Sequence, residues 1–333
     1  MNKLLSILLI SCVSLFSASG QIIINEYTGA NYDTHTDIYG EYEDWVELYN
    51  TSAAPIDISG WYLTDKPSNP TKWMVPSSFI VPANGIAIIY CSGRDEIIGI
   101  EAHSNFKITQ TKGNEVFMLS DAGSVLQDSI RVFPNQNSHT RGRETDGAIN
   151  WSVFTTGTPN STNVGAMQEY ATTPVFSQIG GYYSATVNLT LSSPDPNITI
   201  YYTTNGDEPD NTSAVYSGPI NIATTTVVKA VAYNSTANIP ASFIDYHTFF
   251  INDTHTIPIL SISGGQVDNL LNGNQIEPEG TIEWFDKNGI LLDKGTGEFN
   301  KHGNDSWAYD QRGFDYVMRD QFGYNYALQD KVL

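Results

Sequence analysis

From Gln21 onward the chain is written in short runs of β-branched and aromatic residues that alternate with polar ones, separated by Gly, Pro, Asn, Asp and Ser. A period of two bounded by turn formers predicts half-buried strands rather than helices. Ile22-Ile23-Ile24-Asn25-Glu26 opens the series, Asp44-Trp45-Val46-Glu47-Leu48-Tyr49-Asn50 alternates, and Ile86-Ala87-Ile88-Ile89-Tyr90 is apolar throughout. Residues 185–191, 198–204 and 226–233 alternate again, and Asn205-Gly206 between two such runs predicts a tight hairpin. Turn-rich, weakly charged joins at 155–163 and 251–254 cut the chain into modules 21–165, 170–251 and 255–333. The expected fold class is mainly β: two immunoglobulin- or fibronectin-like β-sandwiches in tandem, then a third segment of different texture.

The first twenty residues break this pattern. Met1-Asn2-Lys3 precedes the apolar run Leu4-Leu5-Ser6-Ile7-Leu8-Leu9-Ile10, and small residues lead to Ala18-Ser19-Gly20. That is the layout of a secretory signal peptide over 1–20, cleaved between Gly20 and Gln21, and too short for a stable membrane span. Leu9-Ile10-Ser11-Cys12 loosely resembles a lipoprotein processing box as well. Cleavage removes Cys12 and leaves Cys91 alone, so the mature chain has no internal disulfide, and Cys91 reads as a small buried hydrophobe. A secreted or cell-surface protein is expected, with no transmembrane span after signal removal.

Charge narrows the classes of partner. The 333 residues carry 16 Lys+Arg against 36 Asp+Glu, a formal net charge of -20. The balance is -8 over 1–165, -6 over 166–254 and -6 over 255–333, so no acidic tail accounts for it. A uniformly anionic surface keeps an exported protein soluble and argues against nucleic acid, because phosphate-backbone binding depends on clustered Lys and Arg.

In the first module, the strand starts above are joined by Ile56-Asp57-Ile58-Ser59-Gly60-Trp61-Tyr62-Leu63-Thr64-Asp65, His103-Ser104-Asn105-Phe106-Lys107-Ile108, Gly142-Arg143-Glu144-Thr145-Asp146-Gly147 and Thr158-Pro159-Asn160. In this order they resemble the lamin tail domain, which implies an immunoglobulin-like sandwich without assigned chemistry in its exported versions. Glu26, Asp44 and Glu47 are carboxylates that a hard cation would accept, but they lack the D-x-D-x-D spacing of a cation loop, and no metal site is expected. Trp45, Trp61, Trp73 and Trp151 are expected in core and rim packing. The second module, through Gly180-Gly181-Tyr182-Tyr183, Tyr216-Ser217-Gly218-Pro219-Ile220 and its alternating strands, resembles the chitobiase and hexosaminidase C-terminal-like domain, an accessory sandwich. Tyr201, Tyr202 and Tyr216 are expected to pair across strands; a glycan groove is the other reading of them.

From His255 a strand at Thr256-Ile257-Pro258-Ile259-Leu260-Ser261-Ile262 and a hairpin around Asp286-Lys287-Asn288-Gly289 lead to His302-Gly303-Asn304-Asp305-Ser306-Trp307 and Arg312. This segment resembles the front part of the spore coat protein H-like (CotH) kinase family, in which a Gly-Asn element follows a strand. The resemblance implies the β-rich start of an incomplete α+β kinase-like domain, with His302, Asn304, Asp305 and Arg312 as a candidate phosphate-side element. Phosphoryl transfer needs a nucleotide cradle and metal-binding carboxylates, and those are expected beyond Leu333. The 333 residues are therefore expected to be an inactive fragment without cofactor, ATP and Mg²⁺ entering only with an intact kinase domain. The six histidines form no H-E-x-x-H motif and are expected at surfaces or turns. The expected function is an exported envelope or secreted protein whose sandwiches position a CotH-like kinase. The rival is a non-catalytic adhesion, scaffold or glycan-binding protein, with extracellular proteins or polysaccharide as partners.

Overall fold

The computed structural model describes residues 20–113, 115–303, 312–318 and 322. The segment up to Ser19 that was expected to be a signal peptide, with Cys12, lies outside the described residues, as do Asn304 and Asp305. The chain is nearly all β, with two immunoglobulin-like sandwiches in tandem. No helix among the described residues is long and apolar enough to cross a membrane.

The first sandwich opposes a seven-stranded sheet to a four-stranded one. Ile22–Thr28 lies inside the larger sheet, between the central strand Trp45–Asn50 and Thr140–Arg143, and Trp151–Phe154 closes one edge. The pairing of Ile22–Thr28 with Trp45–Asn50 shifts register between Ile24 and Glu26. This bulge at Asn25 changes which residues face inward: Ile22 and Ile24 enter the core, and after the extra residue Tyr27 does. Leu48 and Val46 meet them from the neighbouring strand, with Leu63, Phe117 and Leu119 across the core. Trp45 and Trp73 are buried, while Trp61 and Trp151 pack against the core rim. Cys91 is free and buried, and burial pushes its thiol pKa well up.

The second sandwich closes over Leu189, Ile200, Val228, Ala230 and Phe249. Its larger sheet runs Gly181–Tyr183, Asp245–Ile251, Thr226–Asn234, Ile198–Thr203 and Ala214–Val215. The hairpin expected at Asn205-Gly206 is not tight. Ten residues, 204–213, separate Ile198–Thr203 from Ala214–Val215, and those strands pair at only two positions. Gly206 takes φ +85 and the Asn205 amide bonds the Asp207 carboxylate, so the dipeptide bends a long loop instead of closing a ladder. Tyr202–Tyr216 and Tyr201–Tyr233 form edge-on pairs, as the cross-strand reading required.

Ile259–Ser263, Glu279–Phe285, Leu291–Lys301 and Phe314–Met318 form a four-stranded antiparallel sheet, with the helix Val267–Leu271 packed on one face. Its small core is Val267, Leu270, Ile282 and Phe299. The other face is the informative one, because it lies on the outer face of the second sandwich. Ser261 Oγ and Thr248 Oγ1 are 2.7 Å apart, and Thr248 Oγ1 donates to Glu283 Oε2 at 2.5 Å. Phe250 meets Phe285 edge-on at 5.2 Å. Asp245–Ile251 is consequently buried on both faces after its first residue. The third segment thus gains a second layer by borrowing its neighbour's sheet.

Candidate functional site

Where the three modules meet, a cleft of about 520 Å³ opens. Its floor is the outer face of the second sandwich. On Thr226–Asn234, Val228 and Ala230 point into the core, so period two sends Lys229, Val231 and Tyr233 outward. Gln136 and Asn137 come from the first module, Glu279, Thr281, Lys294 and Thr296 from the third sheet, and Glu208 from the long 204–213 loop.

Lys229, the single basic residue between 166 and 254, is fully buried. Its ammonium sits 2.6 Å from Glu208 Oε1 and 5.9 Å from the centre of the Tyr246 ring. Burial pulls its pKa down, while Glu208 and Asp207 pull the other way. The ion pair therefore pins the 204–213 loop to the sheet. Lys294 reaches across from the third sheet to Asp245 and to the Tyr246 carbonyl (3.0 Å), with its ammonium 4.6 Å over the same ring. Tyr246 is 3% exposed, and its hydroxyl, lying toward Thr296, closes no hydrogen bond of ordinary geometry. Glu279 accepts a long bond from Asn137 Nδ2 (3.4 Å). Burial, then the negative charges of Glu208, Glu298 and Asp33, push its pKa up.

The contacts between modules are specific. Tyr170 stacks on His139 with centroids 5.8 Å apart and meets Phe243 edge-on at 5.1 Å. Gln168 N donates to Asn238 O and Ala171 N to Pro240 O, so the join between the sandwiches is laid onto both. Tyr32 of the first module donates to Glu298 of the third sheet at 2.5 Å.

A second polar cluster lies inside the first module. The bulge at Asn25 sets Glu26 opposite Glu47, both fully buried. Segment 157–163 closes over them: Thr158 donates twice to Glu26, Thr140 donates once, and Asn160 N donates to Glu47 Oε2 at 2.9 Å. Asn25 Nδ2 serves both Glu47 (3.0 Å) and Asp146 (3.1 Å). Burial and the neighbouring Glu26 and Asp146 push the Glu47 carboxyl up to about 8, so it is mostly protonated at neutral pH, and Glu26 is raised as well. Among the described residues no group of three or more His, Cys, Asp or Glu is arranged to hold a metal ion. The pair works as a clasp that ties the end of the module to its central strands.

Of the residues singled out in the sequence, Gly20 donates its N–H to Gln127 O at 3.2 Å, and Gln21 O receives two bonds from Thr51, so the strand starts immediately after the expected cleavage point. His302 Nδ1 lies 2.7 Å from Asp315 Oδ1, and Arg312 donates to the Leu271 carbonyl, satisfying the end of the short helix. Both side chains thus have structural contacts. Two of the histidines expected at surfaces are buried: His103 stacks on Tyr90 at 5.2 Å and takes Ser92 Oγ at 3.1 Å, and His247 lies 3.3 Å from Glu283. Aromatic stacking and module docking bury them, which their scattered spacing did not reveal. The cleft residues come from positions more than a hundred apart in the chain. The one local signal for them was a lone lysine inside a β-branched strand.

Residues 16–134 match the family model of the Lamin Tail Domain. Residues 178–243 match that of the Chitobiase/beta-hexosaminidase C-terminal domain. No curated protein matches the chain. The lamin tail match stops before Thr140–Arg143 and Trp151–Phe154, which complete the larger sheet and carry part of the clasp. The chitobiase-type match contains the 204–213 loop and Lys229, and neither match extends into the third sheet.

Proposed function

We propose that the chain is the recognition and positioning part of an exported protein, in which two sandwiches and a docked third sheet act as one rigid body with a binding cleft at their junction. The observation that carries this reading is the polar and aromatic bonding of each module to both others around the cleft, by His139–Tyr170, Thr248–Glu283, Lys294–Asp245 and Tyr32–Glu298. A simple spacer gains nothing from such interfaces, since modules on a linker move independently by default. Export is supported by the leader-like segment and by the strand that begins one residue after Gln21. The test is secretion of the full-length chain by a bacterial host, then scattering from the secreted product. A mature N-terminus at Gln21 and one compact particle are expected; retention in the cytoplasm or independently moving modules would oppose the reading.

A second reading makes residues 255–333 the front of a CotH-like kinase carried by this unit. What favours it is that His302-Gly303 directly follows the eleven-residue strand Leu291–Lys301, as the family's Gly-Asn element follows a strand. The 333-residue chain incubated with ATP and Mg²⁺ is expected to transfer no phosphate. Transfer to itself or to a surface protein would show that the chain holds complete kinase chemistry.

A further inference from the structure

Acidic side chains outnumber basic ones in the lining of the cleft, Glu208, Asp245 and Glu279 against Lys294. The cationic and amide donors beside it each have a partner: Lys294 Nζ bonds Asp245 and the Tyr246 carbonyl, Lys229 Nζ bonds Glu208, and Gln136 Nε2 bonds Ala241 O at 2.8 Å. Asn137 Oδ1 is a buried acceptor without a partner, and the buried Tyr246 hydroxyl, which can accept or donate, closes no hydrogen bond of ordinary geometry. Glu279 holds only the 3.4 Å contact from Asn137, and Glu208 gives Lys229 one oxygen. A buried acceptor without a donor costs about 1–3 kcal/mol, so a ligand that brings donors gains more here than one that brings acceptors.

Charge points the same way. The negative charges of Glu208, Glu298 and Asp33 lie close enough to Glu279 to oppose its ionisation, and the lysines nearby already have carboxylate partners. Beside these groups the cleft is apolar, lined by Val231, Tyr233 and Phe243. We infer that the cleft binds a cationic group, an alkylammonium or guanidinium on an apolar stem, with Glu279 and Glu208 as counter-ions and Tyr246 Oη and Asn137 Oδ1 as further acceptors. The stem lies along Val231 and Phe243, and the Tyr233 ring adds attraction for the cation. This inference rests on the cleft being the recognition site. Two sources share the chemistry: a lysine or arginine side chain of a peptide, and a free polyamine.

The experiment is isothermal titration of the mature chain with three probes: a capped Gly-Lys-Gly peptide, the same peptide acetylated on Nζ, and spermidine. Binding of the lysine peptide or of spermidine is expected, and which of them binds identifies the source. The acetylated peptide, lacking the charge, is expected to bind at least tenfold more weakly. Glu279→Gln is expected to weaken binding about tenfold, the loss of one charge-assisted hydrogen bond, and Asn137→Ser provides a second variant at the rim. Thermal unfolding of each variant separates lost binding from lost fold. No heat with either amine probe, equal binding of the acetylated peptide, or unchanged affinity in folded Glu279→Gln would overturn the inference. A rigid particle that ignores amines sinks this inference alone, whereas independently moving modules sink the reading beneath it.

Discussion

Replacing Glu47 by Gln tests whether the clasp of the first module holds a proton. Glu47 ionises near 4.5 when the chain is unfolded and near 8 when folded. Between those values the folded chain holds one more proton than the unfolded chain, so stability falls as pH rises, by about 1.4 kcal/mol per pH unit. His139 acts in the opposite direction. Burial lowers its pKa from 6.5 to about 4, so its contribution is present above 6.5 and is lost as pH falls through that lower window. The two effects oppose each other below pH 6.5, and from 6.5 to 8 Glu47 acts without that offset. Over this window the wild-type chain is expected to lose about 2 kcal/mol, equivalent to about 4–8 °C in Tm for a module of this size. The neutral amide of Glu47→Gln keeps one acceptor and loses the other, so the variant starts about 1 kcal/mol less stable at pH 5. Its Tm is then expected to change little from pH 6.5 to 8, and the gap to wild type narrows or reverses. The assay is differential scanning calorimetry in matched buffers at fixed ionic strength. Parallel wild-type and variant curves across pH 6.5–8 would refute the assignment of the proton to Glu47.

Other substitutions probe the junctions. Gly289 holds φ +78, and a Cβ there would come 2.4 Å from Tyr182; Gly289→Ala is expected to destabilise docking of the third sheet by about 1–3 kcal/mol, read as faster hydrogen exchange in Asp245–Ile251. Phe285→Ala, which removes a fully buried ring stacked edge-on against Phe250, is expected to cost about 3–5 kcal/mol in chemical denaturation. Lys229→Met keeps the buried volume and leaves the partly exposed Glu208 hydrated, so Tm is expected to move little. The released 204–213 loop should instead be cut faster in limited proteolysis.

Alternation along the chain was a reliable guide wherever one face of a strand is dry and the other wet. Residues 186–191 show this, with Val187, Leu189 and Leu191 in the core and Thr186, Asn188 and Thr190 exposed. It was silent where an extra residue changes the phase. The bulge at Asn25 turns Glu26 toward Glu47, and the carboxylates that read as a polar strand face are buried beneath segment 157–163, since only the tertiary fold brings that cover. Asn205-Gly206 signalled a turn correctly, but the turn belongs to a ten-residue loop, 204–213, held to the sheet through Lys229 and Glu208, and the strands on either side of it pair at only two positions. Asp245–Ile251 is buried on its second face by a separate sheet, Ile259–Ser263 with Glu279–Phe285 and later strands, a layer that no local pattern encodes. The cleft was illegible for the same reason, because Asn137, Glu208, Tyr246 and Glu279 converge only when three modules are docked.

The rigid junction is tested most directly by a distance between modules. Cys91 is buried, so cysteines introduced at the exposed positions Ile100 and Ile290 (93% and 60% exposed) can carry spin labels on the first module and the third sheet. Double electron–electron resonance on the doubly labelled chain from Gln21 onward is predicted to give a single narrow distance distribution. A broad distribution would mean that the modules move independently, and would contradict a recognition cleft built at their junction.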